Sequence, residues 1–264
     1  MPYADDLALA RRLADVADAA SLPRFGALDL RVDTKPDLTP VSDADRAVET
    51  ALRELLAAER PDDAILGEEY GESASFELSA GGRRWVIDPI DATKNFIRGV
   101  PVWATLIALL DGDDAVVGVV SAPALGHRWW AAKGCGSWTS RFGGEPRRNQ
   151  VSAVDRLADA SVSYSDLQEW TTGRLAFEAL LDEAWRARAY GDFWSHVLVA
   201  QGAVDVSAEP ELSLWDVAAL VPIVEEAGGA VTGVDGGKSP GSPSVVCSNG
   251  VLHDEVLRRL RPAV

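Results

Sequence analysis

The sequence predicts a mixed α/β protein. Apolar runs of strand length, such as Ala64-Ile65-Leu66, Trp85-Val86-Ile87 and Ala115 to Val120, end in turn residues. Between them lie longer segments whose apolar residues recur at helical spacing. With 264 residues, 47% of them hydrophobic, the chain can bury a large core as one domain or two small ones.

The elements follow in order. Residues 4–21 are expected to form a helix with Leu7, Leu13, Val16, Ala17 and Ala20 on one face, ended by Pro23. Lys35 to Val41 reads as a loop. Ser42, with Asp45 three residues on, caps a second helix whose stripe is Ala47, Val48, Ala51, Leu52, Leu55 and Leu56. Asp43 and Asp45 suit its first turn, where carboxylates meet the positive end of the helix dipole. Ala64 to Leu66 is a strand ending in Gly67-Glu68-Glu69, and residues 70–82 read as a solvated loop. A strand ends at Trp85 to Ile87. Val102 to Leu110, Ala115 to Val120 and Arg128 to Ala132 are further strands, the first two joined by the turn Asp111-Gly112-Asp113-Asp114. Gly134-Cys135-Gly136 suits a hairpin turn better than a phosphate loop, since no helix with a lysine follows.

The polar stretch Gly143 to Asn149 sets a loose boundary between parts 1–148 and 149–264 of one compact unit. Strands are expected at Ser161 to Tyr164, Arg186 to Tyr190 and Val204 to Val206, the last ending near Glu209. Helices are expected at Leu175 to Trp185 and Phe193 to Ala203. Ser213 opens an apolar helix closed by Gly228-Gly229 and kinked or interrupted by Pro222. Ala230 to Val234 and Ser244 to Cys247 read as strands, and Val251 to Leu260 as a closing helix.

Composition narrows the function. A formal charge of −16 repels phosphate backbones and argues against a nucleic-acid partner. No apolar run is long enough to span a membrane. The N-terminus lacks the basic start and apolar run of an export signal, so a cytoplasmic location is expected. Cys135 and Cys247 have no metal-ligand spacing and read as reduced thiols. His127, His196 and His253 lie outside the motifs and read as structural or exposed.

The chemistry concentrates in Asp88-Pro89-Ile90-Asp91-Ala92-Thr93-Lys94-Asn95-Phe96, directly after a buried strand. Pro89 cannot continue an ordinary central strand and biases Asp88 toward extended backbone. The expected turn points Asp88 and Asp91 into one space. Carboxylates that close repel unless they share a proton or a cation, and Mg²⁺ suits oxygen ligands.

The string Asp-Pro-Ile-Asp-x-Thr-x-Asn-Phe resembles the signature of the inositol monophosphatase-like family of Mg²⁺-dependent phosphatases. Gly67-Glu68-Glu69 and Trp215-Asp216-Val217-Ala218, with Glu226-Ala227-Gly228-Gly229 behind it, match further motifs in the family's order. The resemblance implies a layered αβαβα sandwich, a homodimer and a phosphoric monoester hydrolase acting on a small phosphate ester. It implies that Glu68, Asp88 and the carbonyl of Ile90 hold one Mg²⁺, and that Asp88, Asp91 and Asp216 hold a second. A third would lie near Glu68, where Lys35 and Asp37 match a loop that carries metal in some relatives. Thr93 and Asp43 would orient the attacking water. Glycine is usual where this chain has Ala92, whose N–H is expected to touch phosphate; the turn is taken not to require positive φ, which would leave the alanine harmless.

Variable segments address the alcohol. Lys94 stands where inositol-type enzymes commonly have threonine. Gly99 to Thr105, Arg128 to Ala132 and Tyr190 to Trp194 resemble the actinobacterial histidinol-phosphatase branch. Asp192 and Glu209 are the expected partners of an ammonium or imidazole. Hydrolysis of inositol 1-phosphate or a related sugar phosphate is the alternative.

Overall fold

A computed structural model describes residues 2–73 and 82–261 of the chain. Most of the loop expected at 70–82 therefore lies outside the described residues. Helix α1 (Ala4–Ser21) is followed by a short hairpin, β1 (Val32–Thr34) and β2 (Pro40–Ser42), and by α2 (Asp43–Glu59). The loop expected at Lys35 to Val41 is thus partly the tip and return arm of a hairpin, with Leu38 in the left-handed region at φ 71°.

An antiparallel-dominated sheet comes next. It comprises β3 (Ala64–Gly67), β4 (Gly71–Glu72), β5 (Arg83–Asp91), β6 (Ala104–Asp111), β7 (Asp114–Ala122), β8 (His127–Ala132), β9 (Ser137–Arg141) and β10 (Arg147–Arg148), in the order β10-β9-β8-β7-β6-β5-β3-β4. The short helix α3 (Thr93–Ile97) separates β5 from β6. The second sheet contains β11 (Ser161–Ser163), β12 (Arg186–Arg188), β13 (Val206–Glu209), β14 (Ala230–Thr232) and β15 (Val245–Ser248), in the order β12-β11-β13-β15-β14. Its helices are α4 (Arg174–Glu183), α5 (Asp192–Ala200), α6 (Leu214–Val217), α7 (Leu220–Glu225) and α8 (His253–Leu260).

Strand alternation sorts the side chains into layers. On β5 and β6, Trp85, Ile87, Ile107 and Leu109 pack with Leu9, Leu13, Leu52 and Leu56 of α1 and α2. The opposite phase, Val86, Leu106, Ala108 and Leu110, packs with α5 and α7 and reaches Val245 and Cys247 of the second sheet. Phe177 of α4 and Val256 and Leu260 of α8 cover the far face of that sheet against Val162 and Val246. The result is the five-layer αβαβα sandwich that the motifs implied.

Two departures from the expected elements have simple causes. β5 continues through Pro89 to Asp91, with a register shift between Asp88 and Asp91. A proline is tolerated at such a bulge because no ladder bond is asked of its nitrogen. The helix after Ser213 breaks at Ala218-Ala219 into α6 and α7. Pro222 has no N–H to offer the carbonyl of Ala218, so the break falls one turn before the proline. The Gly134-Cys135-Gly136 turn is a hairpin turn, and its two glycine N–H groups donate to the Glu226 carboxylate at 2.8 and 2.7 Å.

Candidate active site

The phase of β5 that points Val86 toward α5–α7 also points Asp88 there, since side chains alternate with period two. The bulge then brings Asp91 to the same side. Asp216 is the third residue of α6, where it accepts the Ser213 N–H at 2.7 Å as part of a capping box. One carboxylate oxygen from each of Asp88, Asp91 and Asp216 falls within 4.8 Å of the others. Asp88 also accepts the Ile90 N–H at 3.0 Å, and Asp91 the Phe193 N–H at 3.0 Å, so backbone fixes both.

Burial first, then the neighbouring Glu68 and Asp91, holds Asp88 well above the usual carboxylate range. Asp91 is raised likewise by burial and by Asp192 and Asp216, and burial pushes Asp216 up to about 7. Such repulsion is relieved by a hard cation with oxygen ligands, and the donor set here is all oxygen. The residues present therefore fit a divalent metal of the Mg²⁺ type.

Glu68 is held at the edge of this cluster by its own support. Gly67 lets α2 come close: a Cβ there would lie 2.0 Å from the Glu49 carboxylate. Glu49 accepts the N–H groups of Glu69 and Tyr70 at 2.8 and 3.2 Å and so shapes the turn. Lys35 reaches back from the β1–β2 hairpin and pairs with Glu68 and Glu69, both at 2.7 Å. Asp37 instead accepts from Thr39 at the hairpin tip.

The structure corrects two expectations. Asp43 does not meet Thr93: its carboxylate pairs with Arg24 at 2.9 Å, on the outside of α2. Asp45, fully buried, takes that place, with the Thr93 hydroxyl 3.3 Å from its Oδ1 and 3.0 Å from the carbonyl of Ile90. The reason is helical geometry. Asp43 and Asp45 lie about 200° apart around the axis, so only one can face β5. The capping box selects Asp45, which accepts both the N–H and the hydroxyl of Ser42. The second correction is Ala92, which sits at φ 65° and ψ 47°. The turn does require the left-handed region, and the alanine carries strain there that glycine would not.

These residues open into a cleft of about 550 Å³. Among the described residues, nine carboxylates line it against a single lysine, Lys94. Four belong to the cluster with Glu68. The other five are Asp166, Glu169, Asp192, Glu209 and Glu211. Asp192 follows Gly191 into α5 with φ 50°, and burial and Glu169 raise it to about 6, against the pull of Lys94. Glu209, at the end of β13, is 2% exposed; burial pushes it up to about 8. The Ser165 hydroxyl donates to Glu209 Oε1 at 2.6 Å and accepts the Asp192 N–H at 2.7 Å, tying the two acids together. Ser165 and Glu169 went unread in the sequence, because no pattern distinguishes them from other loop residues. Asp45 did carry a signal, as the third residue of a capping box.

The inositol monophosphatase family model matches residues 5–264. The chain is 58% identical over 258 residues to a histidinol-phosphatase of Mycobacterium tuberculosis, covering 97% of this chain and 98% of that protein. It is 56% identical to a histidinol-phosphatase of Streptomyces coelicolor, with 97% and 96% covered. Among solved structures, an inositol monophosphatase from Zymomonas mobilis superposes with a TM-score of 0.84 at 32% identity, covering 98% of this chain and 99% of that one. The extragenic suppressor protein suhB from Bartonella henselae superposes with a TM-score of 0.87 at 27% identity, covering 99% and 100%. Matched by the family model over residues 5–264 and by relatives along nearly its whole length, the chain belongs to the inositol monophosphatase family.

Proposed function

We propose that this chain is a Mg²⁺-dependent histidinol-phosphatase, converting L-histidinol phosphate and water to L-histidinol and phosphate in histidine biosynthesis. The observation that carries the reading is the surplus of acid in the cleft. Two divalent ions, together with Lys35 beside Glu68, would more than balance the charge of Glu68, Asp88, Asp91 and Asp216, and a third ion would serve the phosphate. Among the described residues, five further acids then face one lysine, and even with Glu209 protonated the acids outnumber it. A neutral polyol gains nothing from that field, whereas an alcohol bearing an ammonium is attracted and retained. The two histidinol-phosphatases at 58% and 56% identity support the same choice.

In this reading Glu68, Asp88, Asp91, Asp216 and the Ile90 carbonyl hold two Mg²⁺ ions, with a third near Glu68. When bound, the metal supplies charge neutralisation for the phosphate and a lowered pKa for a water ligand. The protein's own groups do the rest. The Thr93 hydroxyl, tethered toward Asp45 and the Ile90 carbonyl, orients the attacking water. The turn at Ala92 and Thr93 seats the phosphate, and Asp192 and Glu209 seat the alcohol. The water oxygen forms the new P–O bond, the ester P–O bond breaks, and a proton passes to the leaving alkoxide. No side chain becomes phosphorylated. The working form is a cytoplasmic homodimer, which light scattering after gel filtration checks for assembly.

The test is phosphate release with Mg²⁺ from L-histidinol phosphate and from myo-inositol 1-phosphate, with Asp88→Asn as control. The reading expects at least a tenfold preference in kcat/KM for the histidinol ester and loss of activity in the variant. Preference for the inositol ester would keep the metal chemistry and overturn the substrate. No release from either would overturn the reading altogether.

A further inference from the structure

We propose that the alcohol end of the cleft exchanges a proton for a cation: Glu209 keeps its proton while the pocket is empty and releases it to solvent when the ammonium of the alcohol docks against its Oε2. This rests on the histidinol reading of the same site and extends it to how the site tells a cationic alcohol from a neutral one.

The geometry makes the case. Glu209 lines the cleft yet is almost wholly withdrawn from bulk water. Its Oε1 takes the Ser165 hydroxyl proton at 2.6 Å. That hydroxyl accepts from the Asp192 N–H, so its single hydrogen is committed to Glu209. Among the described residues, Oε2 has no hydrogen-bond partner. A buried carboxylate oxygen without a donor is costly, and a proton on it is the simplest remedy.

Among the described residues, the surroundings supply no cation to do that work. Glu169 and Asp192 face Glu209 from the cleft, and both are acids. Cys247 faces it from β15, with its thiol pushed up to about 12 by burial. His196 lines the cleft from α5, but burial lowers it to about 4 and its Nδ1 pairs with the Ser207 hydroxyl. Lys94 acts on Glu169 and Asp192 from the other side. An uncharged hydroxyl can occupy the site and leave the proton in place. An ammonium supplies N–H donors and a charge together, and a charge-assisted bond favours the ionised carboxylate.

The consequence is a proton linkage. With Glu209 pushed up to about 8, most of it is protonated at pH 7, so binding of L-histidinol should release most of one proton. Affinity for L-histidinol should tighten about tenfold per pH unit between pH 6.5 and 7.5 and level off above 8.

The experiment is calorimetric titration of the Mg²⁺-saturated enzyme with L-histidinol at pH 7, in two buffers of different ionisation heat. Net release in the wild type and none in Glu209→Gln is the expected result. Titration with myo-inositol should be proton-neutral. Proton-neutral binding of L-histidinol, net uptake, or release that persists in Glu209→Gln would overturn the inference. Should the variant fail to fold, the pH dependence of wild-type affinity decides. Phosphate release from L-histidinol phosphate on the same preparation separates the failures. Hydrolysis with proton-neutral binding sinks only this inference, whereas absence of hydrolysis sinks the functional reading beneath it.

Discussion

Exchanging one carboxylate at a time in the first turn of α2 tests how the site is wired. Asp43 and Asp45 are two residues apart and chemically identical, yet the structure gives them different work. Asp43 makes a half-exposed ion pair with Arg24 at 2.9 Å. Such a pair is screened by solvent and contributes nothing to the cleft. Asp43→Asn should therefore leave kcat within about twofold of wild type. Asp45 is buried, caps Ser42 and lies 3.3 Å from the Thr93 hydroxyl. Asparagine retains the shape but removes the negative acceptor that polarises the hydroxyl. Loss of a group that assists proton transfer costs about 10²–10⁴ in rate, or roughly 3–5 kcal/mol in the barrier. The weakened cap adds a stability loss of about 1 kcal/mol. The assay is phosphate release at saturating substrate and Mg²⁺, paired with urea denaturation to separate activity from folding. A hundredfold loss in Asp43→Asn, or near-wild-type turnover in Asp45→Asn, would refute the assignment of Thr93 to Asp45.

Three other outcomes are expected. Ala92→Gly removes the left-handed strain at φ 65° and should stabilise the protein by about 0.5–1 kcal/mol, read as a higher urea midpoint; a lower midpoint would contradict the backbone argument. A Cβ at Gly118 would lie 2.1 Å from the Ala219 carbonyl, so Gly118→Ala must push α7 off β7 at a cost of at least about 2 kcal/mol, and an unchanged melting temperature would show that the contact yields freely. Glu209 is raised in the folded state to about 8 from 4.5. Its contribution to stability is therefore complete below about pH 4.5 and is lost as pH rises toward 8. Relative to wild type, Glu209→Gln should gain roughly 1 kcal/mol per pH unit across that window in paired melts, and a pH-independent difference would show that Glu209 titrates normally.

Local pattern in the sequence was enough for most of the architecture and for several residues that the candidate site brings together. Hydrophobic periodicity placed the helices at 4–21 and after Ser42 and the strands from Ala64 to Ala132, because burial of one face is a local pattern. Asp88 and Asp91 stood out as a turn after a strand, and the resemblance to the family's ordered motifs named Glu68, Thr93 and Asp216, because such motifs are short stretches of chain. Other decisions belonged to the tertiary structure. Which of Asp43 and Asp45 faces Thr93 depends on the rotation of α2 against β5. The positive φ of Ala92 comes directly after the register shift in the pairing of β5 with β6, which no local pattern announces. The pairing of Ser165 with Glu209 joins residues 44 positions apart. The weakened acidity of Asp192 and Glu209 arises from burial, which only the packed chain provides. Composition records how many carboxylates the chain has, but only packing decides which of them lose their water, and that loss of water is what turns a carboxylate from a solvated surface charge into a group that needs a cation or a proton.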